Sequence, residues 1–133
     1  MTMVPLEPLP SGQSTDLHLD AEPGERTALR ATRCPACKRH SFPARNLCPA
    51  CGTPTEGVIL DGPARLRVLT SVRAQPPGSL VAAPYDVGVA EFDEGICVIG
   101  LVYGPAERGD SVVPLVVEPY AGGRIFGFRR EQG

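Results

Sequence analysis

The 133-residue sequence has no tryptophan, only seven phenylalanines and tyrosines together, and a single lysine, Lys38. So few aromatic side chains leave little platform for stacked bases. No apolar run approaches the ~20 residues needed to cross a bilayer, and no basic stretch followed by a hydrophobic segment opens the chain. A cytoplasmic protein without membrane contact is expected. There are two histidines, His18 and His40, neither of which falls into a Ser/His/Asp or Cys/His arrangement. The adjacent carboxylates Asp93-Glu94 read as the tip of a hairpin, a solvated turn and not an acid/base pair. No enzyme chemistry of the chain's own can be assembled from these residues.

What is abundant is glycine and proline, 15 of each, which disfavours long helices and favours short strands joined by turns. The five cysteines include two Cys-x-x-Cys pairs within 18 residues, a pattern that suits metal binding in a reducing compartment better than a secreted disulfide framework. Charge is segregated. Residues 1–25 carry five acids and no bases, residues 26–73 nine bases against Glu56 and Asp61, and residues 74–133 four bases against eight acids. The middle third is the part able to attract a polyanion or an acidic protein face.

Residues 1–25, with Pro5, Pro8, Pro10 and Pro23 among scattered acids, show no apolar periodicity and read as an extended or disordered arm that would order only against a partner. Residues 26–57 hold a short strand, TALRATR, and both cysteine pairs, and form the ribbon. From residue 58 to 133 runs of β-branched residues alternate with turn signals. In ARLRVLTSVRA (64–74) the alternation puts Leu66, Val68 and Val72 on one face and Arg65, Arg67 and Arg73 on the other. PYDVGVAEF and ICVIGLVYG flank Asp93-Glu94-Gly95 as a hairpin, and VVPLVVE and RIFGFRR follow. Pro114 predicts that the fourth of these strands is an edge or bulged, Cys97 reads as a small buried hydrophobe, and Phe126 and Phe128 as barrel core. Five strands in about 70 residues without covering helices predict a mainly β protein: a rubredoxin-like zinc ribbon followed by a five-stranded OB-fold barrel.

Cys34-Pro35-Ala36-Cys37 and Cys48-Pro49-Ala50-Cys51-Gly52 are near-identical knuckles ten residues apart. Two such turns supply four sulfurs for one tetrahedral ion, Zn²⁺ by default, with iron in a rubredoxin-like cage as the alternative. With all four ligand places filled by Cys34, Cys37, Cys48 and Cys51, such a site is structural.

The knuckles, Phe42-Pro43-Ala44-Arg45 between them, Pro84-Tyr85 leading to Glu91-Phe92-Asp93-Glu94-Gly95, and the closing aromatic-arginine strand together resemble the zinc-ribbon plus OB-fold proteins associated with acyl-CoA metabolism, over residues 28–130. That resemblance implies a non-catalytic accessory subunit that completes a thiolase-fold enzyme (thiolase, synthase or retro-aldolase) in a heterotetramer, or one that accompanies a hotdog-fold enoyl-CoA hydratase. It also implies a coenzyme A thioester at the partner interface. Coenzyme A carries several phosphates, and Arg39, Arg45, Arg65 and Arg67, with Phe42 beside them, are the residues able to meet them or the partner. The sequence departs from that family in Ala44, where a second proline is usual, and in an arm without aromatic residues. A nucleic-acid-binding ribbon and barrel is the competing class. The acidic isoelectric point, about 5.7, and the lack of aromatics on the basic strand weigh against it.

Overall fold

The computed structural model describes residues 17–74, 77, 78 and 81–131. They form eight strands and no helix: β1 (Leu29–Arg33), β2 (His40–Ser41), β3 (Glu56–Leu60), β4 (Ala64–Val72), β5 (Tyr85–Glu91), β6 (Cys97–Tyr103), β7 (Ser111–Tyr120) and β8 (Gly123–Arg130). β2, β1 and β3 make a small antiparallel sheet. The other five close into a barrel in the order β4-β5-β6-β8-β7, with β6 and β8 parallel and every other pair antiparallel. The protein is mainly β, a zinc ribbon followed by an OB-like barrel. β3 lies opposite β1 along its whole length, so the ribbon sheet runs on to Leu60, past residue 57.

One core serves both parts. Leu29, Ala31 and Leu60 of the ribbon sheet and Leu66, Ala90, Val98, Val102, Val112, Phe126 and Phe128 of the barrel bury into a single cluster. Phe42, from the loop between the knuckles, sets its ring edge-on to Phe126 with centroids 5.6 Å apart, a geometry that adds to the burial of the rings themselves. Inside the barrel, Gly88 and Gly100 face each other across β5 and β6. A methyl group on Gly100 would meet the rings of Phe128 and Phe126 at 2.9 and 3.0 Å, and one on Gly88 would meet Leu66 at 2.7 Å. Gly100 makes the room that the two phenylalanines fill, and Gly88 the room for Leu66 and Val102.

Four expectations are corrected. First, the alternation of β4 breaks between Leu66 and Val68, where the register against β5 shifts by one residue. A bulge reverses the facing of everything beyond it, so Leu69 turns toward the core and Val68 is exposed. Second, Cys97 is exposed, because the buried parity of β6 runs through Val98 and Val102. Third, the described part of the arm does not wait for a partner. Leu19 donates to the Ala28 carbonyl and the Arg30 amide to that of Leu17, while the amides of Thr27, Val116 and Gly24 donate respectively to the carbonyls of Pro114, Glu25 and Val116. Residues 1–16 of the arm lie outside the described residues. Fourth, the strand of Pro114 does carry an irregularity, but between Val117 and Tyr120 and not at the proline, whose side of the strand is not an open edge. β7 has left β4 after Val112, and the vacated side is taken by residues 24–27. The Pro114 carbonyl points there, so its missing amide hydrogen is on that side too and costs no bond to β8.

Candidate metal centre

The two knuckles are built alike. Cys34 N–H donates to the Arg39 carbonyl and Lys38 N–H to that of Cys34, at 2.8 and 2.9 Å; Cys48 N–H donates to the Thr53 carbonyl and Gly52 N–H to that of Cys48, at 2.9 Å each. The residue after each second cysteine therefore adopts positive φ, 68° at Lys38 and 73° at Gly52. Glycine does so freely; lysine does so against its own Cβ. Lys38 Nζ reaches back 2.8 Å to the Pro35 carbonyl. The loop entering the second knuckle is pinned by Thr55, whose buried hydroxyl donates to the carbonyls of Arg45 and Asn46, and by Arg45 N–H donating 3.1 Å to Thr32 Oγ1.

These turns bring the sulfurs of Cys34, Cys37, Cys48 and Cys51 within 4.8 Å of one another. Cys34 and Cys51 lie 3.4 Å apart, Cys37 and Cys48 3.5 Å, close to the roughly 3.8 Å edge of a tetrahedron with 2.3 Å Zn–S bonds. Backbone amides of Cys37 and Ala50 donate 3.4 Å to Cys34 Sγ and Cys48 Sγ, an arrangement that favours thiolate over thiol. Cys51, against the Thr53 hydroxyl and amide, is held down at about 6. Cys48 is lowered by the amides of Cys51 and Ala50. Cys37 goes the other way: the Arg39 amide lowers it, but desolvation and its bonds to Cys48, Cys34 and Cys51 outweigh that and push it up to about 11. Four negative sulfurs at this spacing need a cation between them, and a divalent ion fits the donor set. The residues suit a structural zinc.

The cationic candidates divide into two groups. Arg65 Nη1 donates 3.0 Å to the Gly109 carbonyl, and Arg67 Nε donates 2.7 Å to Glu91 in an exposed ion pair. Arg67 also lines a groove of about 410 Å³ with Arg108, a residue the sequence reading passed over because it sits in a loop. Arg39 and Arg45 are exposed on the ribbon; no described contact joins them to Arg65 and Arg67. Phe42 is half-buried at the junction of ribbon and barrel. Thr53 and Thr55 were also missed, although the parallel spacing of the knuckles was a signal that the residues after each one share a job.

Residues 21–56 match the model of the ChsH2 rubredoxin-like zinc ribbon domain. A DUF35 domain-containing scaffold protein of Methanocaldococcus jannaschii is 31% identical over 80 residues, a match covering 59% of this chain and 57% of that protein. The structure titled Ltp2-ChsH2(DUF35) aldolase superposes with a TM-score of 0.63 at 28% identity, over 77% of this chain and 84% of that one. A DUF35-family protein of unknown function from Sulfolobus solfataricus shares the fold, with a TM-score of 0.54 at 17% identity over 78% and 76% of the two chains. The resemblance read from the knuckles, the Phe-Pro-Ala-Arg segment and the Asp-Glu-Gly hairpin agrees with all of these.

Proposed function

We propose that this chain is a non-catalytic accessory subunit that docks on and completes an enzyme acting on acyl-CoA thioesters, a thiolase-fold retro-aldolase, thiolase or synthase in the first instance. The observation that carries the reading is the single core shared by ribbon and barrel, with Phe42 seated on Phe126, joined to a metal site whose four ligand places are all protein sulfurs. A body of that kind positions a surface and offers no open coordination place for substrate. The names of two similar proteins, one a scaffold and one an aldolase that includes a DUF35 chain, support it.

In this reading Cys34, Cys37, Cys48 and Cys51 hold a structural Zn²⁺ that fixes the ribbon. The chain works as an arm (1–25), a ribbon (26–57) and a barrel (58–133), with β3 crossing from the second to the third. Arg39, Arg45, Arg65 and Arg67 face the phosphates of the thioester or acidic groups of the enzyme, and Phe42 acts indirectly by holding the ribbon against the barrel. The assembly is cytoplasmic and contains two copies of each subunit.

Affinity capture of the tagged full chain from its native lysate, with nuclease present, tests this. Recovery of a thiolase-like subunit, with a mass by light scattering equal to two of each chain, is the expected result. Recovery of a hydratase would shift the partner's fold, and recovery of nucleic-acid machinery alone, lost on nuclease treatment, would overturn the proposal.

A further inference from the structure

The four sulfurs of the ribbon are not placed alike. Cys37 and Cys51, the second cysteine of each knuckle, are exposed, whereas Cys34 and Cys48, the first of each, are buried. Two contacts set an exposed sulfur against the buried one of the other knuckle: Cys51 Sγ lies 3.4 Å from Cys34 Sγ, and Cys37 Sγ 3.5 Å from Cys48 Sγ. A disulfide needs sulfurs about 2.0 Å apart, so each pair has only roughly 1.5 Å to close. The two contacts are nested in the sequence. Cys37 and Cys48 bracket the loop that carries Phe42, and Cys34 and Cys51 enclose both. The same loop is pinned by Arg45 N–H on Thr32 Oγ1 and by the Thr55 hydroxyl on the carbonyls of Arg45 and Asn46, bonds that do not pass through the sulfurs.

We infer that the ribbon is an oxidation site with a second closed state, in which disulfides Cys34–Cys51 and Cys37–Cys48, formed by a peroxide, take the place of the metal. The exposed thiolate of each pair attacks one oxygen of the peroxide: an S–O bond forms, the O–O bond breaks and hydroxide leaves, giving a sulfenic acid. The buried thiolate of the other knuckle then attacks that sulfur, the S–S bond forms, the S–O bond breaks and a second hydroxide leaves. Each pair gives two electrons to one peroxide, so two peroxides convert four thiolates into two disulfides and four hydroxides. Thiolate is the form that holds a metal, so Zn²⁺ leaves as the pairs close, and the negative charge that called for a cation leaves with it. Cys97 is exposed as well but stands outside the four-sulfur cluster, with no second sulfur there to complete the reaction.

Pairing across the knuckles has a structural consequence. It keeps the loop around Phe42 closed after the ion has gone, so the ribbon stays seated on Phe126, whereas loss of the ion from the reduced chain frees four mutually repelling sulfurs. The inference rests on the zinc assignment made above and takes nothing from the accessory role.

The test uses the full chain carrying Cys97→Ser, purified under reductant and first assayed for metal; one zinc per chain is the expected content. Hydrogen peroxide is then added in small excess and zinc release is followed with a chromophoric chelator. Trypsin cuts at Arg33, Lys38, Arg39 and Arg45, which leaves each cysteine pair on its own peptide, so bonds across the knuckles join the two peptides and bonds within a knuckle leave them apart. Loss of the zinc, joined peptides whose fragmentation gives Cys34–Cys51 and Cys37–Cys48, and recovery of the loaded form with a thiol reductant and Zn²⁺ are expected. The oxidised chain is also expected to unfold at a higher temperature than the reduced chain stripped of metal by a chelator. Zinc and free thiols that both survive peroxide would overturn this inference while leaving the zinc assignment intact, whereas a reduced chain that binds no zinc would defeat that assignment and this inference with it. Separate peptides, or sulfinic acid at Cys37 and Cys51 without linkage, would overturn the pairing, and an unfolding midpoint no higher than that of the stripped reduced chain would overturn the second closed state.

Discussion

At the level of single residues, the comparison that matters is between Lys38 and Gly52, which occupy the same place in two copies of one turn. A left-handed conformation costs an L-residue with a Cβ roughly 1–2 kcal/mol, part of it offset here by the bond from Lys38 Nζ to Pro35. Lys38→Gly is therefore expected to stabilise the ribbon by about 0.5–1 kcal/mol, read as a higher unfolding midpoint of the zinc-loaded protein; a lower midpoint would show that the lysine's own bond outweighs the strain. Cys48→Ser removes one of four ligands and is expected to abolish stoichiometric zinc and melt the ribbon. Unchanged metal content with unchanged thermal stability would contradict that. The pH dependence has a definite sign. Protons compete with the ion for the sulfurs, and without metal Cys51, held at about 6 against an ordinary 9.0, favours the fold fully above pH 9 and loses that contribution as pH falls to 6. Cys37, raised to about 11, acts oppositely: its contribution is present below pH 9 and lost as pH rises through 11. In the loaded protein all four sulfurs are thiolates, so acidification releases zinc, which a chromophoric chelator detects; release on moving from pH 7 to 9 instead would contradict thiolate ligation.

At the level of strands, the barrel depends on what is missing at two facing positions. Gly100 leaves space that Phe126 and Phe128 occupy and Gly88 space that Leu66 and Val102 occupy, and close-packed interiors do not absorb an added methyl without displacement. Gly100→Ala is expected to cost about 1–3 kcal/mol in denaturant unfolding without altering zinc content. Much of this architecture was legible in the sequence: the turn residues set the β5–β6 hairpin, and the doubled Cys-Pro-Ala-Cys marked the four cysteines whose sulfurs the fold gathers. What escaped has a common cause. The bulge at Arg67 moves Val68 outward and Leu69 inward, and the buried parity of β6 starts at Val98 and not at Cys97; a period of two read along a chain cannot say where it will slip or which phase faces inward. The docking of residues 17–27 was invisible because it rests on backbone hydrogen bonds, of 17 and 19 to Arg30 and Ala28 and of 24–27 to β7, which leave no pattern of side chains. The groove shared by Arg67 and Arg108 brings together residues more than forty positions apart, which only the fold reveals.

At the level of the whole molecule, ribbon and barrel form one body because their apolar residues share one core, and the bases of the middle third of the sequence are spread over the ribbon and along β4, from Arg65 at its start to Arg73 just past its end. The segment from Gly24 to Thr27 lies along the side of β7 that β4 has vacated. Without it, the carbonyls of Pro114 and Val116 and the amide of Val116 would face solvent beside Leu115 and Val117, and an uncovered strand of that kind templates pairing with the next molecule. The few residues that fasten the arm are therefore also what keeps one copy of this protein from polymerising edge to edge with another.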